Sequence, residues 1–168
     1  MFSVGDKVVY PMHGAGTIQN IEEKSVLGET RAYYILRIPY GRLQVMVPVV
    51  GSDAAGLRPI VTKEKIAEVR ELLSAPSTPM DENWNRRYRE NMDKLRSGDP
   101  CKVAEVIRNL MRVEREKRLS TGEKKLLANA RQILASEMVL VEGIPEEEAM
   151  EMIDKAVQPP QDGLRHLT

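Results

Sequence analysis

The run Asn83-Trp84-Asn85-Arg86-Arg87-Tyr88-Arg89-Glu90-Asn91-Met92 holds the chain's single tryptophan, followed at once by Arg86, Arg87 and Arg89. A large flat apolar side chain flanked by guanidinium groups suits two tasks. It packs a core and leaves a solvated basic face, or it presses as a wedge on nucleic acid while the arginines hold phosphates. Trp84, Tyr88, Met92 and Leu95 recur at the spacing of one helical stripe, and on periodicity alone the core reading is the stronger. Lys94 and Arg96 share the helix with Glu90 and Asp93, so intrahelical pairing is a second plain explanation of the charges. Three phosphate contacts would give a log–log salt slope near about −3 and a non-specific Kd of roughly 10⁻⁴ to 10⁻⁶ M. A patch that weak matters only when a tether supplies about millimolar effective concentration.

Other residue types with chemical potential are scattered. Cys101 falls early in a helix, where the dipole favours a thiolate, but no His is paired with it, and an inert helical thiol is the simpler reading. His13 lies beside Gly14 and Gly16 and reads as a turn residue. The glycines match neither a phosphate-binding loop nor a dinucleotide fingerprint. Two His and one Cys do not make a zinc quartet, and Glu146, Glu147 and Glu148 read as a helix start rather than a metal site. No catalytic residue, metal or cofactor is expected.

The whole chain supplies no long-range attraction for nucleic acid: 25 basic and 25 acidic side chains cancel. Charge is local instead. From residue 82 to 118 there are eleven Lys and Arg against seven Asp and Glu, and from 137 onward two against eight. Hydrophobic residues make up 42% of the 168, enough for real cores. No apolar run spans a bilayer, no secretion signal opens the chain, and a single cysteine fits a reducing cytoplasm.

Elements that would position the tryptophan follow from the pattern. Residues 1 to about 50 hold four or five short strands with tight turns, including Lys7-Val8-Val9-Tyr10, Tyr33-Tyr34-Ile35-Leu36-Arg37-Ile38 and Leu43-Gln44-Val45-Met46-Val47-Pro48. Leu27-Gly28-Glu29 and Tyr40-Gly41-Arg42 read as turns, and 51–59 as a connector. Such spacing predicts a small antiparallel barrel of the SH3 or Tudor kind, with too little core to stand without a neighbour. Near residue 60 the period changes from 2 to 3.6. Thr62 caps a helix through about residue 73, and the two prolines of Ala75-Pro76-Ser77-Thr78-Pro79 break it. Asp81 or Asn83 starts the tryptophan helix, which Gly98 stops. Asp99-Pro100 opens the next, and Ser120-Thr121-Gly122-Glu123 matches a capping box for a fourth. Gly143 ends that one, and Pro145-Glu146-Glu147-Glu148 begins a last. The fold class is α+β in two domains: a barrel over 1–58, an all-helical domain of about five helices over 62–157, and a disordered tail over 158–168.

With these motifs in order, the chain resembles the CarD/CdnL family of bacterial transcription regulators. Val4-Gly5-Asp6-Lys7-Val8-Val9-Tyr10-Pro11 with His13-Gly14, then Met46-Val47-Pro48-Val49, resemble the polymerase-interacting domain this family shares with the transcription–repair coupling factor. Trp84-Asn85-Arg86-Arg87-Tyr88, Ser97-Gly98-Asp99, Lys102-Val103-Ala104-Glu105-Val106 and Leu119-Ser120-Thr121-Gly122-Glu123-Lys124 resemble its helical domain. The likeness runs over residues 1–157. It implies a Tudor-like barrel pairing strand to strand with the β-subunit lobe of RNA polymerase, through Val45, Met46, Val47 and Lys24. Lys24 and Met46 stand where mycobacterial members have Arg; Lys24 keeps the charge without the bidentate fork, and Met46 loses it. The resemblance further implies that Trp84 is a minor-groove wedge at the upstream edge of the transcription bubble, with Arg86 and Arg89 at the family's basic DNA-contacting positions; Arg87, between them, joins the candidate DNA-binding set.

The resulting expectation is a non-enzymatic cytoplasmic regulator, a monomer that stabilises the open promoter complex with little sequence specificity, no membrane and no small-molecule ligand. Trp84 is then at least partly exposed, while Tyr88, Met92 and Leu95 pack inward. Three alternatives stand beside it: a protein–protein adaptor on polymerase without DNA contact, an enzyme using Cys101 or His13, and a free-standing DNA-binding protein.

Overall fold

The computed structural model describes residues 1–39 and 42–157. The expected turn at Tyr40-Gly41 and the tail beyond residue 157 lie outside the described residues. Strands β1 (Lys7–Tyr10), β2 (Gly14–Val26), β3 (Glu29–Ile38), β4 (Leu43–Pro48) and β5 (Arg58–Pro59) precede helices α1 (Lys63–Ser74), α2 (Trp84–Arg96), α3 (Pro100–Glu116), α4 (Thr121–Glu142) and α5 (Glu146–Ala156). The strands form one antiparallel sheet in the order β4-β3-β2-β1-β5, the Tudor-like arrangement expected from the strand spacing. The strand β5, which carries only two residues, falls in the stretch read as a connector. Two residues pairing with Val8 and Val9 are too few to show alternation.

Alternation sorts the sheet into two faces. Val8, Ile18, Tyr34, Leu36 and Val47 are buried together on one, with Val45 and Ile21 packed against them. Met46, paired with Ile35, and Lys24, paired with Arg31, point to the other. Leu27 (φ 54°) and Gly28 (φ 81°) turn the β2–β3 hairpin with two left-handed residues, the geometry that matches strand twist.

The helices enclose a second, larger core built on α4, whose 22 residues make it about 33 Å long. Leu126, Leu127, Ala130, Ile133, Leu134 and Met138 are all buried there, each side chain contributing about 1.5–3 kcal/mol of transfer free energy if large. Against them pack Val103, Val106, Ile107 and Leu110 of α3, Ile66, Val69 and Leu73 of α1, and Ala149 and Ile153 of α5. Thr62, Asp99 and Ser120 cap their helices where the sequence places them, and Asn83 rather than Asp81 caps α2, each accepting a backbone N–H; Gly143 takes the left-handed conformation (φ 67°).

The connector before α2 is tied down as well. Thr78 Oγ1 accepts from Asn109 Nδ2 (2.9 Å) and from the buried Arg108 (3.2 Å) and donates to Glu105 (2.9 Å). The start of α2 is thereby held on α3.

Candidate nucleic-acid interface and docking edge

Asn83 caps α2, its side chain accepting the Arg86 N–H at 3.2 Å. No acidic residue occupies the first turn, while Asp81 just before it accepts the Asn83 N–H at 2.8 Å. From that end the apolar stripe descends into the core. Trp84 is 55% exposed, Tyr88 and Met92 are half-buried, and Leu95 is 1% exposed. The stripe therefore packs as helical periodicity requires, yet its first member, at the N-terminal end of α2, stands clear.

The cations of α2 divide sharply. Arg86 and Arg89 are exposed; Arg86 reaches Asp81 only at 4.0 Å, and Arg89 has no ion pair among the described residues. Arg87 is turned inward. Its Nε donates to Glu123 Oε2 at 2.7 Å and its Nη2 to Oε1 at 3.2 Å, with Glu123 almost wholly buried at the start of α4. The hydrogen bond from Arg87 holds the Glu123 carboxyl below its ordinary range, and the same bond raises the guanidinium pKa. Ser120 caps α4 through the Glu123 N–H while the Glu123 carboxylate is occupied by Arg87 and Ser120. Lys94 pairs with Glu105 on α3 at 2.9 Å, and Arg96 lies 3.8 Å from Asp93.

Four further cations lie in or just before the turn of α4 that packs on α2. Tyr88 lies over Gly122, where an added Cβ would meet the ring at 3.6 Å, so the first turn of α4 sits against α2. Lys124 and Lys125 project from that turn and Lys117 and Arg118 from the loop before it, all exposed and without an ion pair among the described residues. Their clustering in 117–125 is visible as charge; that this segment packs on α2 follows only from the tertiary structure.

The second surface is the edge of the sheet. β4 has β3 on one side only, and it carries no charged residue. Val47 is fully buried and Val45 half-buried against the sheet core, so each offers a partner its backbone rather than its side chain. Met46 is 44% exposed on the outward face, and Leu43 at the start of the strand and Val50 just past its end are exposed as well. Lys24 shares that face, 3.7 Å from Glu22, about 13 Å further along the sheet than the Met46–Ile35 row. An uncharged edge with apolar side chains is a template for another strand.

The remaining reactive groups have local roles. His13 stacks on Tyr10 with ring centroids 4.4 Å apart, and its Nδ1 lies 3.1 Å from the Pro11 carbonyl. Burial pushes the Cys101 thiol up, against the pull of Lys65. Among the described residues no three His, Cys, Asp or Glu converge on a metal-sized site, and no helix is long and apolar enough to cross a membrane.

A Tudor-like antiparallel sheet with the uncharged β4 at one edge is followed by a helical unit that presents an exposed tryptophan beside exposed arginines. The family model for the CarD-like/TRCF RID domain matches residues 2–61, and that for the CarD C-terminal domain matches residues 68–154. The candidate transcription factor YdeB of Bacillus subtilis (strain 168) is 38% identical over 148 residues, covering 88% of this chain and 97% of that protein. The chain belongs to the CarD family of transcription regulators.

Proposed function

We propose that this protein holds RNA polymerase and promoter DNA at the same time and thereby stabilises the open promoter complex. The β4 edge docks on the β-subunit lobe through the backbone of Val45, Met46 and Val47, with the Met46 and Lys24 side chains on the outward face beside it. The start of α2 lies on the upstream edge of the bubble. Trp84 enters the minor groove, Arg86 and Arg89 take phosphates, and Lys124 and Lys125 extend the phosphate track. Arg87 serves DNA binding indirectly, by pinning α2 to Glu123 of α4. The protein works as a monomer, in the nucleoid where polymerase is.

The observation that carries this reading is the exposure of Trp84 at the one end of an otherwise inward-facing stripe. Unstacking a base step costs a few kcal/mol, and at the edge of an opened duplex that cost is already met. Binding is then stronger to the open state than to the closed one, and differential binding is what shifts the equilibrium. A difference of about 1.4 kcal/mol acting on bubble closure alone lengthens the open-complex lifetime tenfold. The contacts are to phosphates and to groove shape, so little sequence preference is expected.

The test is the lifetime of open complexes formed by cognate polymerase, challenged with a competitor, without the protein, with it, and with Trp84→Ala. A lengthened lifetime that the alanine variant loses supports the wedge; no lengthening at saturating protein overturns the reading. The adaptor alternative draws on the pairing of Arg87 with Glu123 and of Lys94 with Glu105, which ties two of the five α2 cations to neighbouring helices. It requires that Trp84 fluorescence stay unchanged when promoter DNA is added to the polymerase-bound protein.

A further inference from the structure

An ion pair with its carboxylate buried joins the sheet to the helices. Glu137 lies on the core-facing stripe of α4 between Leu134 and Met138, and its side chain is 2% exposed. Arg58 of β5 meets it with both terminal nitrogens at 2.9 Å, and the Val61 N–H donates to the same carboxylate at 3.0 Å. The Arg58 Nε donates to the Gly98 carbonyl at 2.9 Å, just past the C-terminal end of α2. Two further contacts key the parts together. Ala15 of β2 donates its N–H to Ser136 Oγ at 2.8 Å, and a Cβ on Gly14 would meet that oxygen at 2.8 Å. A Cβ on Gly98 would approach Pro11 to 3.1 Å. One guanidinium thus touches the sheet, α4 and the end of α2.

We propose that Arg58 and Glu137 are positioning residues that fix the angle of α2 to the sheet, so that a sheet docked on polymerase places Trp84 at one defined base step. The inference rests on the proposed function for its consequence, but not for its geometry. The 13 residues of α2 span about 20 Å from this junction to Trp84. A tilt of about 10° at the junction moves the tryptophan by about 3.4 Å, the spacing of successive nucleotides in one strand. A looser joint lets the wedge visit neighbouring steps, and the effective concentration at the right one falls. An ion pair suits the task because its fork admits one geometry, where apolar packing tolerates sliding.

The single tryptophan is a built-in donor for measuring the angle. An acceptor dye on Val4→Cys, an exposed site on the sheet side in a Cys101→Ser background, gives the distance distribution to Trp84 in the free protein. The wild-type pair is expected to give one narrow distribution, and Glu137→Gln a broader one at unchanged far-ultraviolet circular dichroism. Without dyes, Glu137→Gln is expected to bind polymerase, and separately promoter DNA, within about twofold of wild type, while its gain in open-complex lifetime falls at least about fivefold. If Glu137→Gln fails to fold, Arg58→Met with Glu137→Met removes both charges and leaves the Gly98 tie broken. A distribution that stays narrow in the variant overturns the lock. A broadened distribution with the full lifetime gain overturns its role in positioning. If the wild-type chain itself leaves the lifetime unchanged, the proposed function fails, and the distance measurement still decides the lock.

Discussion

Arg86, Arg87 and Arg89 are three arginines in four positions, and their surroundings give them different work. Arg87 and Glu123 form a pair screened from water, and removing one partner leaves the other charge buried. Arg87→Ala is expected to cost about 3 kcal/mol in urea unfolding, whereas Arg86→Ala and Arg89→Ala stay within about 0.5 kcal/mol. The pair also imposes a pH dependence. Arg87 holds the Glu123 carboxyl below its unfolded value, near 4.5, so its contribution is complete above that pH and is lost as pH falls through the depressed folded value. Acid unfolding below pH 4.5 is therefore expected to be shallower in Glu123→Gln than in the wild type, as measured by circular dichroism against pH.

At the scale of elements, the two proposed contact surfaces are the start of one helix and the edge of one sheet. Asn83→Ala leaves the Arg86 N–H without its cap and is expected to destabilise by about 1 kcal/mol. Fraying is confined to the first turn of α2, so the variant is expected to lose lifetime enhancement while keeping its affinity for polymerase. On the sheet, Lys24 and Met46 are both substantially exposed, and replacing them should not disturb the core. Lys24→Glu combined with Met46→Glu is expected to weaken binding to the isolated β lobe about tenfold, roughly 1.4 kcal/mol, with thermal stability unchanged. Unaltered lobe affinity would remove this face from the docking surface.

For the whole molecule, the zero net charge limits what each surface does alone. DNA binding by the free protein is expected to be weak and steeply salt-dependent. Arg86 and Arg89 by themselves give a log–log slope of about −1.8, and adding Lys124 and Lys125 brings it to about −3.6. A titration across salt concentrations is expected to show the steeper slope in the wild type and the shallower in Lys124→Ala with Lys125→Ala. Polymerase then supplies the local concentration that the protein's own field does not. Tight DNA binding without polymerase at physiological salt would contradict this division of labour.

Much of this architecture was legible in the order of residues, because its signals are local. Strand alternation, the turn at Leu27-Gly28, the caps at Thr62, Asn83, Asp99 and Ser120, and the stop at Gly143 each depend on neighbours a few positions away. Motif order pointed to the family. The stripe Trp84-Tyr88-Met92-Leu95 was equally visible, but a helical period states only which residues share a face, and the depth of each is set by how the helix crosses its neighbours. That crossing leaves Trp84 exposed and Leu95 buried. Partner choice is likewise invisible along the chain: Arg87 finds Glu123 across 36 positions, and Arg58 finds Glu137 across 79. A charge on the apolar stripe of α4 was the one sequence signal at Glu137, and it marks a buried polar group without naming what satisfies it. Local chemistry therefore determined the elements, while tertiary packing alone decided which charges face solvent and which hold the molecule together.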